Sequence, residues 1–331
     1  MAEPPRHLGA EEPNDRGLTD ELAAALERVP ELAGRSLVLT ILSGGITNRN
    51  FRVDADGGLG APGGSTYVLR RAGTDTHLLG IRRDVEYAAT LGAAAVGVGP
   101  EVIAFIRPEC FLVTRFIPGV GISEAAVHDP DMIRRVADSI RRIHGGPAIP
   151  GTFDPVRIGE TYRALAAQRG VTIPAAYEPA REQVRRIERA LVVDPVDMRP
   201  CHNDLLNANF IDDGERVRIV DWEYAGMGDP FFDLGNFSVN HDLDADEDAA
   251  LLEAYAGEVR PAHLARLRVL RVVSDFREAM WGVLQQAISM LDVDFEAYAE
   301  RHFERLLDSA SRPGFEAALA TLDPADDARS P

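Results

Sequence analysis

The sequence contains no lysine. All 35 basic residues are arginine, against 53 acidic residues, so the formal net charge is −18. A chain this acidic repels the phosphates of DNA and RNA, which argues against nucleic acid as a partner. We attribute the missing lysine to the base composition of the genome. It also has a chemical consequence, because any role that usually belongs to a lysine ammonium must here fall to an arginine guanidinium, which is planar and permanently charged.

Cysteine and long apolar runs are also scarce. Cys110 and Cys201 are far apart in strand-like apolar segments, which predicts reduced thiols rather than a disulfide framework. No apolar run approaches the roughly 20 residues that cross a bilayer, and residues 1–5 lack the basic and apolar blocks of a signal peptide. We therefore expect no membrane insertion and a cytoplasmic location. The 331 residues, 45% hydrophobic and 27% charged, suit a globular protein of one large or two modest domains.

What the sequence does contain is a pair of motifs between Cys201 and Glu223. Asp204 follows His202-Asn203, Asn209 comes five residues later, and the apolar run 216–221 ends in Asp221-Trp222-Glu223. Phosphoryl transfer needs a carboxylate that accepts the proton of a hydroxyl, and an amide and a second carboxylate that hold magnesium.

The spacing of these residues supports such a site. Residues 209–211 and 216–221 read as a hairpin around 212–214, which would bring Asn209 and Asp221 to one edge. Singly, Asp204 could be a surface acid, Asn209 a cap and Asp221 a turn residue. Their joint order favours a kinase-like enzyme in which Asp204 is the base, Asn209 and Asp221 bind Mg²⁺, and Glu223 assists a second ion.

Segments 202–209 and 219–224 resemble the choline/ethanolamine kinase family, within the aminoglycoside-phosphotransferase and protein-kinase-like group. The resemblance covers about residues 35–307. It implies an α+β, two-lobed fold with ATP and Mg²⁺ between the lobes and adenine against the hinge 114–119. The predicted division is a flexible tail at 1–17, an N-terminal nucleotide-binding lobe with an antiparallel sheet at 18–116, a mainly helical C-terminal catalytic and acceptor-binding lobe at 117–310, and a second flexible tail at 311–331.

Residues 43–51 resemble the nucleotide loop of that family. Gly44 and Gly45 would let the backbone approach phosphate groups, and the side chains of Thr47 and Asn48 could donate hydrogen bonds. A double glycine alone fits an ordinary hairpin turn better than a phosphate site. The position of this segment upstream of the other motifs favours the phosphate-binding interpretation.

The lysine-free composition leaves the phosphate-gripping position of the third strand to an arginine. Arg70, in the alternating segment 66–71, matches the position where choline kinases carry arginine, and Glu86 in the following helix is its expected partner. Arg71 is the alternative, because a shift of one residue exchanges the faces of a strand.

The acceptor site is predicted in the last third of the chain. Residues 260–290 read as a long helix, and Trp281 and Tyr298 match aromatic positions that the resemblance implies for the acceptor pocket, where aromatic faces attract an ammonium group. Without that context, a tryptophan on an apolar helix face such as Trp281 is more often a core residue. Leu284 stands where the family often has a second tryptophan, so the aromatic cage is thinner. Asp233 is the candidate partner of the cation, with a helix cap as the alternative.

The overall prediction is an ATP-dependent kinase for the hydroxyl of a small cationic amino alcohol of the choline or ethanolamine type. An aminoglycoside or other hydroxylated small molecule is the first alternative acceptor. The second alternative is a catalytically silent nucleotide-binding protein. Oligomeric state does not follow from the sequence.

Overall fold

The computed structural model describes residues 13–42, 48–73 and 76–323, with side chains described from Asp20 onward. The N-terminal part is a five-stranded antiparallel sheet in the order β1-β2-β3-β5-β4, with one helix before β1 and another between β3 and β4. Its elements are α1 Pro13–Leu26, β1 Leu37–Leu42, β2 Asn48–Ala55, β3 Ser65–Ala72, α2 Arg83–Ala95, β4 Val102–Ile106 and β5 Phe111–Arg115.

Alternation along the strands decides which side chains reach the cleft. In β3, Tyr67 and Leu69 point to a small core that also contains Phe51 of β2 and Leu22 of α1. Arg70 belongs to the opposite face because successive side chains of a strand point to opposite sides.

The remaining elements form a larger, mainly helical part. It contains α3 Glu124–Val127, α4 Pro130–His144, α5 Pro155–Gln168, α6 Tyr177–Val193, α7 Pro230–Asn240, α8 Ala245–Ala256, α9 Pro261–Ile288, α10 Phe295–Ser311 and α11 Pro313–Leu322. Short strands lie between the helices: β6 Val120–Gly121, β7 Arg199–Cys201, β8 Phe210–Asp212, β9 Val217–Ile219 and β10 Gly226–Gly228.

α9 is the central helix of this part. It packs against α5, α7, α10 and α11, and most of its residues between Ala265 and Gln285 are buried. A helix that is buried on all sides differs from a surface helix, which shows a single apolar stripe. Charged side chains inside such a helix are therefore exceptional, and two of them, Arg277 and Glu278, lie beside the candidate site.

The predicted α+β, two-lobed arrangement is confirmed. The hydrophobic clusters do not divide at residue 116, however, because Ala89, Ala93 and Val98 belong to the core of the helical part. α2 and the turn after it thus link the two lobes. In the described part of the chain, no helix has the length and apolarity that spanning a membrane requires.

Both predicted tails need correction. α1 already begins at Pro13, inside the segment expected to be flexible. The segment expected to be a tail from residue 311 contains α11, whose Phe315, Leu319 and Leu322 are buried in the main core. The sequence carried this signal, because an apolar spacing of three and four residues follows Pro313, a favourable first helical residue.

Candidate active site

The loop that carries Asp204 follows β7 and is hydrogen-bonded to a side chain of α7. The carboxylate of Asp233 accepts the backbone N–H groups of His202 at 2.8 Å and of Asn203 at 2.7 Å. Asn203 has a φ of 67°, in the left-handed region that asparagine tolerates better than most residues. The His202 ring donates from Nε2 to the Val220 carbonyl at 2.9 Å, so this histidine joins the loop to the hairpin that follows it.

The predicted hairpin is present and brings Asn209 and Asp221 to the same cleft. Strands β8 and β9 pair antiparallel with Phe210 opposite Ile219. Asn209 donates from Nδ2 to the Asp204 carbonyl at 2.8 Å, and its own carbonyl accepts the Val220 N–H at 3.0 Å. Both Asn209 and Asp221 line a cavity of about 360 Å³ between the sheet and the helical part.

The residues of this cleft fit a magnesium ion. The ligands available are a carboxylate and an amide oxygen, the hard oxygen donors that Mg²⁺ prefers. Asp221 Oδ1 is buried, and its partner among the described residues is Arg70, whose Nη2 lies 2.7 Å away as an ion pair. A carboxylate whose charge is balanced by one guanidinium can also bind the metal ion that accompanies a nucleotide.

Arg70 occupies the position predicted for it. It forms an ion pair with Glu86 of α2 and a second with Asp221, Nη2 to Oδ1, at 2.7 Å. Burial alone would lower the pKa of Arg70, but the neighbouring Asp221 and Glu86 outweigh burial and raise the pKa above its ordinary value. Burial would raise the pKa of Glu86, yet Arg70 and Arg83 hold it below its ordinary value. Arg71 points to the other face and lies 3.4 Å from Glu21.

Glu223 contacts residues of the N-terminal part. Its Oε2 accepts a hydrogen bond from Asn48 Nδ2 at 2.8 Å and lies 3.4 Å from Arg83 Nη1. Arg83 also donates to Glu86 at 2.6 Å. Glu223 thus ties the helical part to the start of β2, and Arg83, which the sequence interpretation had missed, completes this network.

The predicted nucleotide loop is only partly visible. Gly44, Gly45 and Thr47 lie outside the described residues, whereas Asn48 begins β2. The cavity that contains Asn209 and Asp221 extends to the predicted hinge, where Thr114, Arg115, Phe116 and Ile117 line it. An apolar cleft with a few convergent polar groups is the usual form of a nucleotide or small-molecule site.

The prediction that Asp233 binds the substrate is wrong. Asp233 is fully buried, and besides the two loop N–H groups it contacts His144 Nε2 at 3.0 Å. These contacts lie in the protein interior, where no part of Asp233 is exposed to a ligand. The alternative role as a helix cap is also wrong, because the N-cap of α7 is Asp229.

Trp281 and Tyr298 lie together as predicted, in a packed aromatic cluster. Their ring centroids are 5.5 Å apart, and Phe295 lies 5.7 Å from Trp281. Trp281 donates from Nε1 to the Tyr224 hydroxyl at 3.1 Å. Only 7% of Trp281 is exposed, so in this state the ring packs in the core and presents little surface to an acceptor.

Two charged residues that the sequence interpretation had missed complete this side of the site. Arg277 contacts Asp204, and Glu278 contacts both Arg277 and Tyr298. The guanidinium lies 5.1 Å from the centroid of the Tyr224 ring, so an internal cation already occupies one aromatic face. An adjacent arginine and glutamate inside an otherwise apolar helical run was the signal that could have revealed them.

Asp204 lies in an environment that favours proton acceptance. Burial raises the pKa of its carboxyl to about 6, while Arg277 opposes that shift. The side chain is 14% exposed and therefore not completely closed off from solvent. A general base works best when its pKa is close to the working pH, and a raised carboxyl pKa meets this condition better than an ordinary one.

Comparison with known proteins agrees with this geometry. Residues 38–270 match the profile of the phosphotransferase enzyme family, so the chain is an ATP-dependent phosphotransferase that acts on a hydroxyl group of a small molecule. The crystal structure of a choline/ethanolamine kinase family protein from Mesorhizobium loti is 34% identical with a TM-score of 0.78, and the alignment covers 92% of this chain and 99% of that one. The chain therefore belongs to the choline/ethanolamine kinase family.

Two further relatives are more distant. Ethanolamine kinase 2 from Homo sapiens is 27% identical over 220 residues, which cover 57% of this chain and 56% of the relative. The choline kinase LicA from Streptococcus pneumoniae is 20% identical with a TM-score of 0.69, over 88% of this chain and 98% of that one. At that identity the likeness establishes the common fold alone.

Proposed function

We propose that this enzyme transfers the γ-phosphoryl group of ATP to the hydroxyl of a small cationic amino alcohol, of the choline or ethanolamine type. The observation that carries the proposal is the convergence of Asn209, Asp221 and Arg70 on one cleft between the sheet and the helical part, with the loop that carries Asp204 hydrogen-bonded to Asn209. These are the base, the magnesium ligands and the phosphate-binding cation that this reaction requires.

Each residue has a definite task in this scheme. Asp204 orients the acceptor hydroxyl and takes its proton, while Asn209 and Asp221 hold Mg²⁺. When bound, the ion neutralises charge on the β- and γ-phosphate oxygens. Arg70, anchored by Glu86, would direct its donors to the phosphates.

The acceptor class is supported by charge and by the relatives. Asp204 and Glu278 contribute two carboxylates to the acceptor side and Arg277 one cation, so the group carries a net negative charge if all three are ionised. A substrate with one positive charge would balance it. The names of the Mesorhizobium loti and human relatives point to the same class.

A substrate panel with purified enzyme tests the proposal. ADP release is measured with ethanolamine, choline, a neutral diol and an aminoglycoside as acceptors, each with Mg-ATP. We expect turnover with one of the amino alcohols and a loss of about 10²- to 10⁴-fold in kcat for Asp204→Asn, while nucleotide binding is retained.

The matched control is Asp213→Asn, in the turn of the same hairpin, where the carboxylate accepts backbone N–H groups of residues 215 and 216. This variant should keep its kcat. Turnover with the aminoglycoside alone would show that the acceptor is an aminoglycoside and not a small amino alcohol. Wild-type turnover in Asp204→Asn would remove the proposed base and with it the mechanism.

A further inference from the structure

The surroundings of Arg277 are unusual for a helix interior. The residue lies in the middle of α9 and is 1% exposed. Its Nη2 donates to the Asn203 carbonyl at 2.7 Å and to Asp204 Oδ1 at 3.1 Å, and its Nη1 lies 3.0 Å from Glu278 Oε1. Burying a guanidinium is costly unless its partners compensate. Here Nε has no hydrogen-bond partner among the described residues, so the compensation is incomplete.

A second buried arginine on the same helix shows what a structural role looks like. Arg266 is 4% exposed, and its Nε and Nη2 both donate to Asp229 Oδ2, at 2.9 and 2.5 Å. Asp229 caps α7, so this pair joins two helices. The Nη2 donor of Arg277 is directed instead to the loop that carries the base, where it contacts the backbone before Asp204 and the carboxylate itself.

The contact with Asp204 is selective for one oxygen. Arg277 engages Oδ1, and Oδ2 is the oxygen that would accept the proton of the acceptor hydroxyl. The bond to the Asn203 carbonyl holds the backbone of the same loop, so the guanidinium restrains both the position and the rotation of the carboxylate. Its charge also favours the ionised form of a base that is largely removed from water.

The guanidinium is itself held in place from the acceptor side. Glu278 forms an ion pair with it and accepts a hydrogen bond from the Tyr298 hydroxyl, Oε2 to Oη, at 2.9 Å. The Tyr224 ring lies 5.1 Å below it. The base is thus connected through Arg277 and Glu278 to the aromatic cluster formed by Trp281, Tyr298 and Phe295.

We propose that Arg277 is a positioning residue for Asp204: it holds the carboxylate of the base oriented and ionised for the acceptor hydroxyl, and Glu278 holds Arg277. This inference rests on the proposed function, since it assigns Asp204 the role of base. Removing a group that orients a reacting residue commonly lowers the activity by about 10- to 100-fold. The same range is expected here in kcat, with KM for Mg-ATP unchanged because Arg277 does not reach the nucleotide cleft.

The experiment compares Arg277→Met, Arg277→Lys and the matched control Arg266→Met. ADP release is measured with ethanolamine and without any acceptor, so that water can serve as the acceptor, and Tm is recorded for each variant. We expect Arg277→Met to lose kcat in both assays and Arg277→Lys to recover part of the loss, because lysine restores the charge without the fork geometry. Arg266→Met should lose at least as much Tm and keep kcat.

A double variant shows whether the effect passes through the base. In the Asp204→Asn background, Arg277→Met should leave the residual rate unchanged, because a residue that acts through another has no effect once the other is removed. An equal loss in both backgrounds, a full kcat in Arg277→Met, or the same kcat loss in Arg266→Met would each overturn the inference. These outcomes differ from wild-type turnover in Asp204→Asn alone, which would refute the proposed function instead.

Discussion

At the scale of single residues, Arg70 connects carboxylates from distant parts of the chain. Glu86 lies on α2 and Asp221 follows β9, and Arg70 pairs with both. A lysine ammonium is one point charge, whereas a guanidinium offers a planar fork that can serve two acceptors in fixed directions. In a sequence without lysine, this geometry is available where related folds use a simpler cation.

Arg70→Lys should therefore weaken nucleotide binding even though it keeps the positive charge. We expect KM for ATP to rise roughly tenfold, since one charged hydrogen bond contributes about 1.5–3 kcal/mol. Steady-state kinetics at saturating acceptor measure this. Arg71→Lys, on the opposite face of β3, is the control and should leave KM unchanged. An equal rise in both variants would contradict the assignment of Arg70 to the phosphates.

Asp233 is a buried carboxylate that accepts hydrogen bonds from the backbone. Burial would raise the pKa of this carboxyl, but hydrogen bonding to His144 and the N–H of His202 outweigh burial and lower it. The charge is therefore retained in the interior, where it orders the loop that carries Asp204.

Asp233→Asn should destabilise the protein, because the amide presents N–H groups towards donors that need an acceptor. We expect a loss of about 3 kcal/mol or more in the free energy of unfolding, measured by urea denaturation. Asp244→Asn, at the exposed N-cap of α8, is the control, since asparagine caps a helix as well as aspartate does. A higher KM for the acceptor with unchanged stability would instead restore a role in substrate binding.

At the scale of elements, α7 supports the site and is followed by a buried histidine, His241, at its C-cap. The ring of His241 is 4.5 Å from that of Phe237 and 5.9 Å from that of Phe210, centroid to centroid. Nδ1 donates to the Phe237 carbonyl at 2.8 Å. Burial lowers the pKa of His241, so the folded protein favours the neutral ring.

This shift predicts a pH dependence of stability with a definite sign. The folded pKa lies below the unfolded value of about 6.5, so the contribution is complete above that pH and is lost as the pH falls towards the folded pKa. Urea denaturation between pH 7.5 and 5 should show this decline. In His241→Phe, which keeps the aromatic packing, the decline should be shallower. An identical slope in the variant would show that other groups cause it.

At the scale of the whole molecule, contacts join the two lobes at the cleft and also behind it. On the cleft side, Arg70 reaches Asp221 and Asn48 reaches Glu223. Behind it, the hairpin of the helical part binds the turn after α2, where Arg218 donates to the carbonyls of Val98 at 3.0 Å and Gly99 at 2.6 Å. A nucleotide between these connections would contact both lobes at once.

Nucleotide with magnesium should therefore stabilise the entire protein. At a ligand concentration 100 times Kd, binding to the native state adds about 2.7 kcal/mol. The measurement is Tm with ADP, first with Mg²⁺ and then with a chelator. We expect a larger rise with Mg²⁺ in the wild type, and loss of that difference in Asp221→Asn but not in Asp213→Asn. A magnesium effect that survives in Asp221→Asn would place the ion elsewhere.

Features encoded by neighbouring residues could be predicted from the sequence. The hairpin at 210–219 follows from its apolar runs and turn residues, and the long helix α9 follows from its periodicity. The choice of Arg70 over Arg71 followed from strand alternation together with the family resemblance. These predictions needed only local geometry, since spacing along the chain fixes which side chains share a face.

Apart from the Arg70–Glu86 pair, which the family resemblance implied, the partners of the buried charges were decided by the tertiary structure alone. Asp233 bonds to a loop 30 residues away, Glu223 bonds to Asn48, and Arg277 bonds to Asp204 73 residues away. No spacing rule relates such pairs, because each results from the packing of elements that are distant in sequence. A buried charge must find a partner, but its identity is set by which elements the core brings together.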